Sequence, residues 1–185
     1  MSSRDLDDLI PSFRDKVERL YDECVSRGIV MKPFCTVRTP KEQACIWRKS
    51  RSTIEINQKR DELIRLGAPF LASCIEDVGP QPGKLGVHET HAIPGLSWHQ
   101  FGRAVDSFWS YPVGSACWKT SVTNEDGQNG YLVYGALAGA LGLTSLGATS
   151  GWDWPHVQDT PLSGPHKMYG TIAEIDAIMK ERFGQ

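Results

Sequence analysis

The sequence predicts an α+β fold in one domain spanning residues 1–185. Three observations carry that reading. Five segments have helical spacing or a helix-capping signature, three short segments read as strands, and neither a repeat nor a linker separates them.

Residues 4–27 place Leu6, Leu9, Ile10, Phe13, Val17, Leu20, Tyr21 and Cys24 on one side of an amphipathic helix, and Gly28 is a natural stop. "IVMKPFCTV", 29–37, then reads as an extended segment, and Pro33, which has no N–H for a ladder, suggests a sheet edge. In "TPKEQACIWRK", 39–49, Thr39 is a helix cap, Pro40 suits the first turn and Glu42 closes a capping box. "STIEINQKRDELIRLG", 52–67, repeats the device with Ser52 and Glu55 and stops at Gly67.

Residues 79–97 are rich in Gly, Pro and His without periodicity, and read as a long loop of the kind that carries function in compact domains. "RAVDSFW", 103–109, is strand-like. "GYLVYGALAGALG", 130–142, reads as a buried helix, preceded by a segment "NEDGQNG", 124–130, with no readable role. "WDWPHVQ", 152–158, is short and strand-like, with Pro155 pushing Trp154 into an extended conformation. A last amphipathic helix, 171–184, opens on the capping box of Thr171 and Glu174.

Composition excludes several classes. With 40% apolar and 23% charged residues the chain is ordinarily globular, and a formal net charge of −2 argues against nucleic-acid binding, which needs a basic face. The basic run "WRKSRS", 47–52, reads as a solvated helix end. The N-terminus "MSSRDLDDLI" shows no signal-peptide pattern, and the longest apolar run, 132–143, is too short to span a bilayer and contains three glycines. The expectation is a monomer made in the cytoplasm, without membrane insertion. Cys24, Cys35, Cys45, Cys74 and Cys117 are odd in number and form no C-x-x-C pair, so they read as reduced thiols. Cys35 and Cys117 could sit near a site, but neither has a base paired with it in the sequence, which argues against a catalytic thiol.

The chemistry gathers around the histidines, which fall at 88, 91, 99, 156 and 166. "SWHQFGRAVD", 97–106, sets His99 and Asp106 seven residues apart, a separation that puts the two side chains on opposite faces of a straight strand. A bend at Gly102 lets them converge. His156 follows Asp153 by three residues. Two imidazoles and one carboxylate form a zinc set with an open fourth position, and a single anionic ligand leaves the metal net positive. Water activated there needs a base, and a bend at Trp154-Pro155 can turn Asp153 toward His156. Spacing alone leaves Asp153 as either that base or a partner of a histidine.

The pattern S-x-H-x-x-G-x-A-x-D, met here as Ser97, His99, Gly102, Ala104 and Asp106, resembles the zinc signature of the D-alanyl-D-alanine and L-alanyl-D-glutamate peptidases of peptidoglycan. D-x-P-H at Asp153, Pro155 and His156 resembles the phage-endolysin branch, whose base is an aspartate, whereas the vancomycin-resistance branch has glutamate. "VRTPKEQ" resembles the upstream segment in which an arginine and a glutamine line the substrate cleft, matched by Arg38 and Gln43. The three motifs run in order from about 36 to 158. His91 and Trp98 depart from the pattern, which has small polar residues near those positions.

The resemblance implies a small antiparallel sheet carrying a zinc site and flanked by helices. It implies Zn2+ held by His99, Asp106 and His156, Asp153 as catalytic base, and Arg38 with a catalytic or substrate-binding role beside Gln43. Ser97 is expected as a hydrogen-bond partner at the site. The substrate would be a peptidoglycan stem peptide, cut between L-alanine and D-glutamate. The alternatives are a D-alanyl-D-alanine carboxypeptidase and, in a different class, a non-catalytic zinc-containing binding domain of the Hedgehog type. A protein of this kind without a leader reaches the wall through holin-type release or dedicated export.

Overall fold

The computed structural model describes residues 2–78 and 88–184, so the part of the expected loop at 79–87 lies outside the described residues. In chain order the elements are α1 (Pro11–Val25), β1 (Met31–Cys35), α2 (Pro40–Arg48), α3 (Thr53–Arg65), α4 (Pro69–Glu76), β2 (Ala104–Ser110) and β3 (Ala116–Cys117). They continue with α5 (Gly130–Ala140), β4 (Thr144–Ser145), α6 (Leu146–Ser150), β5 (His156–Gln158), α7 (His166–Tyr169) and α8 (Ile172–Phe183). Short 3-10 turns fall at Leu6–Asp8 and Trp98–Phe101. The fold is α+β, with one small antiparallel sheet flanked by helices. Two compact units can be distinguished, Ser2–Val37 with Phe101–Pro161, and Arg38–Gln100 with Leu162–Gln185.

The first of these units holds every described strand. The sheet runs β1-β2-β5-β4, with β3 added to β2, and all pairs are antiparallel. β1 is at the edge, where Pro33 costs no ladder bond. Side chains alternate along β2: Val105 and Trp109 enter the core, with Val157 of β5 beside them, while Asp106 and Phe108 are only partly buried. α1 presents Phe13, Val17, Leu20 and Cys24 to that core, and α5 presents Tyr131, Tyr134 and Ala138. Gly130 opens α5 because a Cβ there would stand 2.4 Å from the Trp109 ring. Asn129 caps the same helix through Leu132 N–H at 3.0 Å, and Asn124 organises the preceding segment by accepting from Asp126 and Gln128 N–H. The segment with no readable role is therefore a turn that delivers a helix cap.

In the other unit, α2, α3, α4, α7 and α8 pack around Ala44, Trp47, Leu63, Leu71, Ile75, Ile175 and Met179. The capping boxes expected at Thr39, Ser52 and Thr171 are all formed. Helix α4 has no side-chain cap of its own. Buried Asp176 of α8 supplies one, accepting from Leu71 N–H at 2.7 Å. A carboxylate at a helix N-terminus meets both an unpartnered donor and the positive end of the dipole. The run 47–52 is not a solvated helix end. Arg48 donates to Ile75 O at 3.0 Å, and Arg51 donates to Thr90 O at 2.9 Å while lying 4.4 Å over the Trp47 ring. No helix among the described residues is long and apolar enough to cross a membrane.

Candidate metal centre

Strand pairing sets out the centre before any side chain is considered. Asp106 is the register partner of His156 on one side and of Cys35 on the other. Three neighbouring strands thus contribute a thiol, a carboxylate and an imidazole in one row. Cys35 reaches that row through an irregularity in β1: Met31, Lys32 and Pro33 pair regularly with Trp109, Phe108 and Ser107, and the register then shifts. Phe34 is the extra residue of this bulge. It packs edge-on against Trp118, which also meets Phe108.

His156 is fixed at both ring nitrogens. Gln158, two residues on along β5, donates its amide N–H to Thr160 O. That turns its Oε1 toward His156 Nε2 at 3.1 Å, an acceptor for the tautomer that carries its proton there. His156 Nδ1 lies 3.0 Å from Asp106 Oδ1. A ring N–H donated to the carboxylate satisfies that approach, and so does a metal ion shared by the two atoms. Two ligands of one tetrahedral zinc stand roughly 3.3 Å apart, given bonds of about 2.0 Å. The observed spacing fits that geometry, and a carbonyl on the distal ring nitrogen is the usual support for a ligating histidine.

His99 enters from the turn Trp98–Phe101, which leads through Gly102 into β2. Gly102 has φ +66°, so the bend expected between His99 and Asp106 is made where it was placed. A Cβ at Gly102 would stand 2.8 Å from Asp8 O, and its own carbonyl accepts from Ile10 N–H at 3.0 Å. Within the sheet, Cys35, Asp106 and His156 offer a thiol, a carboxylate and an imidazole, all of them zinc-type donors.

On the core side of β2, the residue next to Asp106 joins two phenols. Ser107 Oγ is 2.9 Å from Tyr21 OH and 2.9 Å from Tyr134 OH. Burial pushes both phenols well above their ordinary pKa, so both stay neutral and serve as hydrogen-bonding struts. At the other end of β5, Arg103 and Asp159 form a partly buried ion pair, and Asp159 N–H donates to Arg103 O at 3.0 Å. These contacts hold β5 and β2 in register around His156.

The other expected site residues fall as follows. Asp153 is exposed and left-handed, with φ +51°, and its carbonyl accepts from His156 N–H at 3.0 Å. Trp152–Pro155 is therefore a turn rather than strand, and the strand begins at His156. Arg38 and Gln43 are brought together: Arg38 donates to Gln43 Oε1 at 3.0 Å, and the buried Gln43 donates to Ala92 O at 2.7 Å. Ser97 begins the turn that carries His99, its carbonyl accepting from Gln100 N–H at 3.1 Å. His91 is exposed, its ring 6.0 Å from that of His88. Outside the expected set, Trp109 belongs to the core, and Trp154 packs partly buried against that core.

Sequence reasoning missed one neighbour of the centre and left another unplaced. Cys35 is a thiol that could sit near a site, but nothing in a linear sequence shows that a bulge sets it opposite Asp106. Gln158 carried one available signal, its two-residue spacing from His156 on a strand, which places both on one face.

No protein-family model matches the sequence, and no curated protein matches it. Among solved structures, the chain is similar to an alanine-substituted variant of the vancomycin-resistance D,D-pentapeptidase VanY, from a VanB-type resistance cassette, in complex with Zn(II). The identity is 16% and the TM-score 0.44, over 92% of this chain and 78% of the other.

Proposed function

We propose that this chain is a zinc-dependent peptidase acting on peptidoglycan stem peptides, and that the bond it cuts joins L-alanine to D-glutamate. The observation that carries the metal centre is the His156–Asp106 approach at 3.0 Å, with the distal nitrogen of His156 committed to Gln158. The substrate class is supported by the ordered motifs around Arg38, His99–Asp106 and Asp153–His156.

His99, Asp106 and His156 are the proposed ligands. Zinc bound there supplies a Lewis acid for the scissile carbonyl and acidifies a water. Asp153 takes the proton from that water and returns it to the leaving amine. Its turn is tied to the first residue of β5, so carboxylate and ligand are placed by one short piece of chain. Arg38, oriented by Gln43, binds a substrate carboxylate or supports the developing oxyanion. Ser97 holds the turn that aims His99.

The test combines metal analysis with product analysis. Purified protein should carry one zinc per chain, and His99→Ala or His156→Ala should lose it. Incubated with intact sacculi, the protein should release fragments with new amino-terminal D-glutamate. Release of D-alanine alone from a pentapeptide stem would assign a carboxypeptidase instead. Zinc without turnover on either substrate would assign the binding-domain alternative.

A further inference from the structure

We propose that Phe34, Phe108 and Trp118 form a saccharide subsite, which seats the muramoyl sugar that carries the stem peptide. This rests on the reading that the bond cut joins L-alanine to D-glutamate, and it names the part of the wall held while that bond is cut.

Strand register lays out the subsite within one compact unit. Asp106 and Phe108 are two residues apart on β2 and share a face. Asp106 stands in one row with His156, and Phe108 stands in the next, opposite Lys32 of β1. Trp118 follows Cys117, the register partner of Trp109, and its ring lies 5.7 Å from that of Phe108. Phe34, bulged out of β1, meets Trp118 edge-on at 4.9 Å. Phe34 is 42% exposed and Trp118 43%, so this run of contiguous rings opens to solvent beside the Asp106–His156 row. Large rings are normally buried, and a contiguous exposed group of them marks a binding surface.

A pyranose offers what these rings take. One of its faces is a patch of C–H bonds, which the negative face of an aromatic ring attracts, and its rim carries hydroxyl and acetamido groups. Donors for that rim flank the rings: the Arg4 guanidinium lies 5.0 Å over Phe34, and exposed Lys32 is the register partner of Phe108. Distance decides which sugar. In the stem, the lactyl group and L-alanine are together two residues long, and they set the pyranose roughly 7 Å from the scissile carbonyl. The row of Phe108 stands two strand residues from the row of Asp106, about 6.6 Å. With the carbonyl over Asp106 and His156, the sugar therefore lands on the rings. A bond at the far end of the stem, where a carboxypeptidase works, leaves the sugar out of reach.

The probe is chitotetraose, a peptide-free N-acetylglucosamine oligomer, titrated into the full chain by calorimetry. The unmodified chain should bind it. Trp118→Leu, which keeps apolar bulk and removes the ring face, should bind it about tenfold or more weakly. If Trp118→Leu folds poorly by circular dichroism, Phe34→Leu takes its place. On one stem peptide with and without its muramoyl sugar, the unmodified chain should show the higher kcat/KM on the sugar-bearing form, and the variant should lose most of that preference. No binding of chitotetraose, or equal binding by the variant, would overturn the subsite and leave the peptidase reading standing. A chain that is dimeric in solution and becomes monomeric on Trp118→Leu would also overturn it and give the rings to a second copy. Sugar binding without any cut in sacculi would keep a saccharide site and overturn the peptidase reading instead.

Discussion

The imidazole of His156 and the carboxylate of Asp106 meet across the β2–β5 pairing as register partners, Nδ1 and Oδ1 3.0 Å apart. Backbone hydrogen bonding brings them together, and Gln158 decides which ring nitrogen faces the carboxylate. The arrangement can be tested by removing the decision and leaving the ligands. Gln158→Leu deletes the acceptor for Nε2–H and frees the ring to change tautomer. Zinc affinity should fall about 10- to 100-fold, with circular dichroism unchanged. Chelator competition measures it, and unaltered affinity would show that Gln158 does not orient the ring.

Asp153→Asn separates the charge from the turn. Asparagine tolerates the left-handed conformation as well as aspartate does, so the φ of +51° carries no new strain. Zinc should stay at one per chain while turnover falls about 100- to 10,000-fold. A loss below about threefold would reject the base.

Gly102→Ala should destabilise the protein by about 1–3 kcal/mol. Its φ is +66°, and the new methyl would press on Asp8 O. Because the bend lies between His99 and Asp106, metal affinity should drop along with the urea midpoint. A variant as stable as the parent would mean that the turn rearranges freely.

Alkaline pH should unfold the chain by a calculable route. Burial raises Cys24 and Tyr131 to about 12 and Cys74 to about 11, and raises Tyr21 and Tyr134 as well. In the unfolded chain these thiols and phenols ionise from about pH 9 and about pH 10 respectively. Between those values and the folded ones the native state holds more protons than the unfolded state, so stability falls as pH rises. It should be level below about pH 9 and decline steadily towards about pH 12, seen in urea midpoints at about pH 8 and about pH 11. Tyr134→Phe should flatten part of that slope.

The helices were legible because their signals are local. Thr39 with Glu42, Ser52 with Glu55 and Thr171 with Glu174 are read within four residues, and each forms the box it announces. Helix α4 escaped notice because its cap is Asp176, more than a hundred residues away. The same distinction divides the site. His99, Gly102 and Asp106 lie on one short stretch whose bend a glycine gives away. Cys35 and Gln158 owe their places to pairings between strands distant in sequence. The arginines at 48 and 51 were misread for a related reason: their carbonyl acceptors at Ile75 and Thr90 are nowhere near them in the chain.

The bulge at Phe34 has a consequence for how the gene can change. Residues 31–33 keep one register with β2, Cys35 keeps another, and Phe34 absorbs the difference. A codon deleted there would let β1 pair with β2 without interruption, and the thiol would still stand opposite Asp106. The losses would be the Phe34–Trp118 ring contact and the Arg4 guanidinium 5.0 Å over the Phe34 ring, on a side chain already 42% exposed. The sheet therefore leaves chain length at this point free to drift in descendants, while a deletion at residues 31–33 would slide the strand against Trp109 and the core.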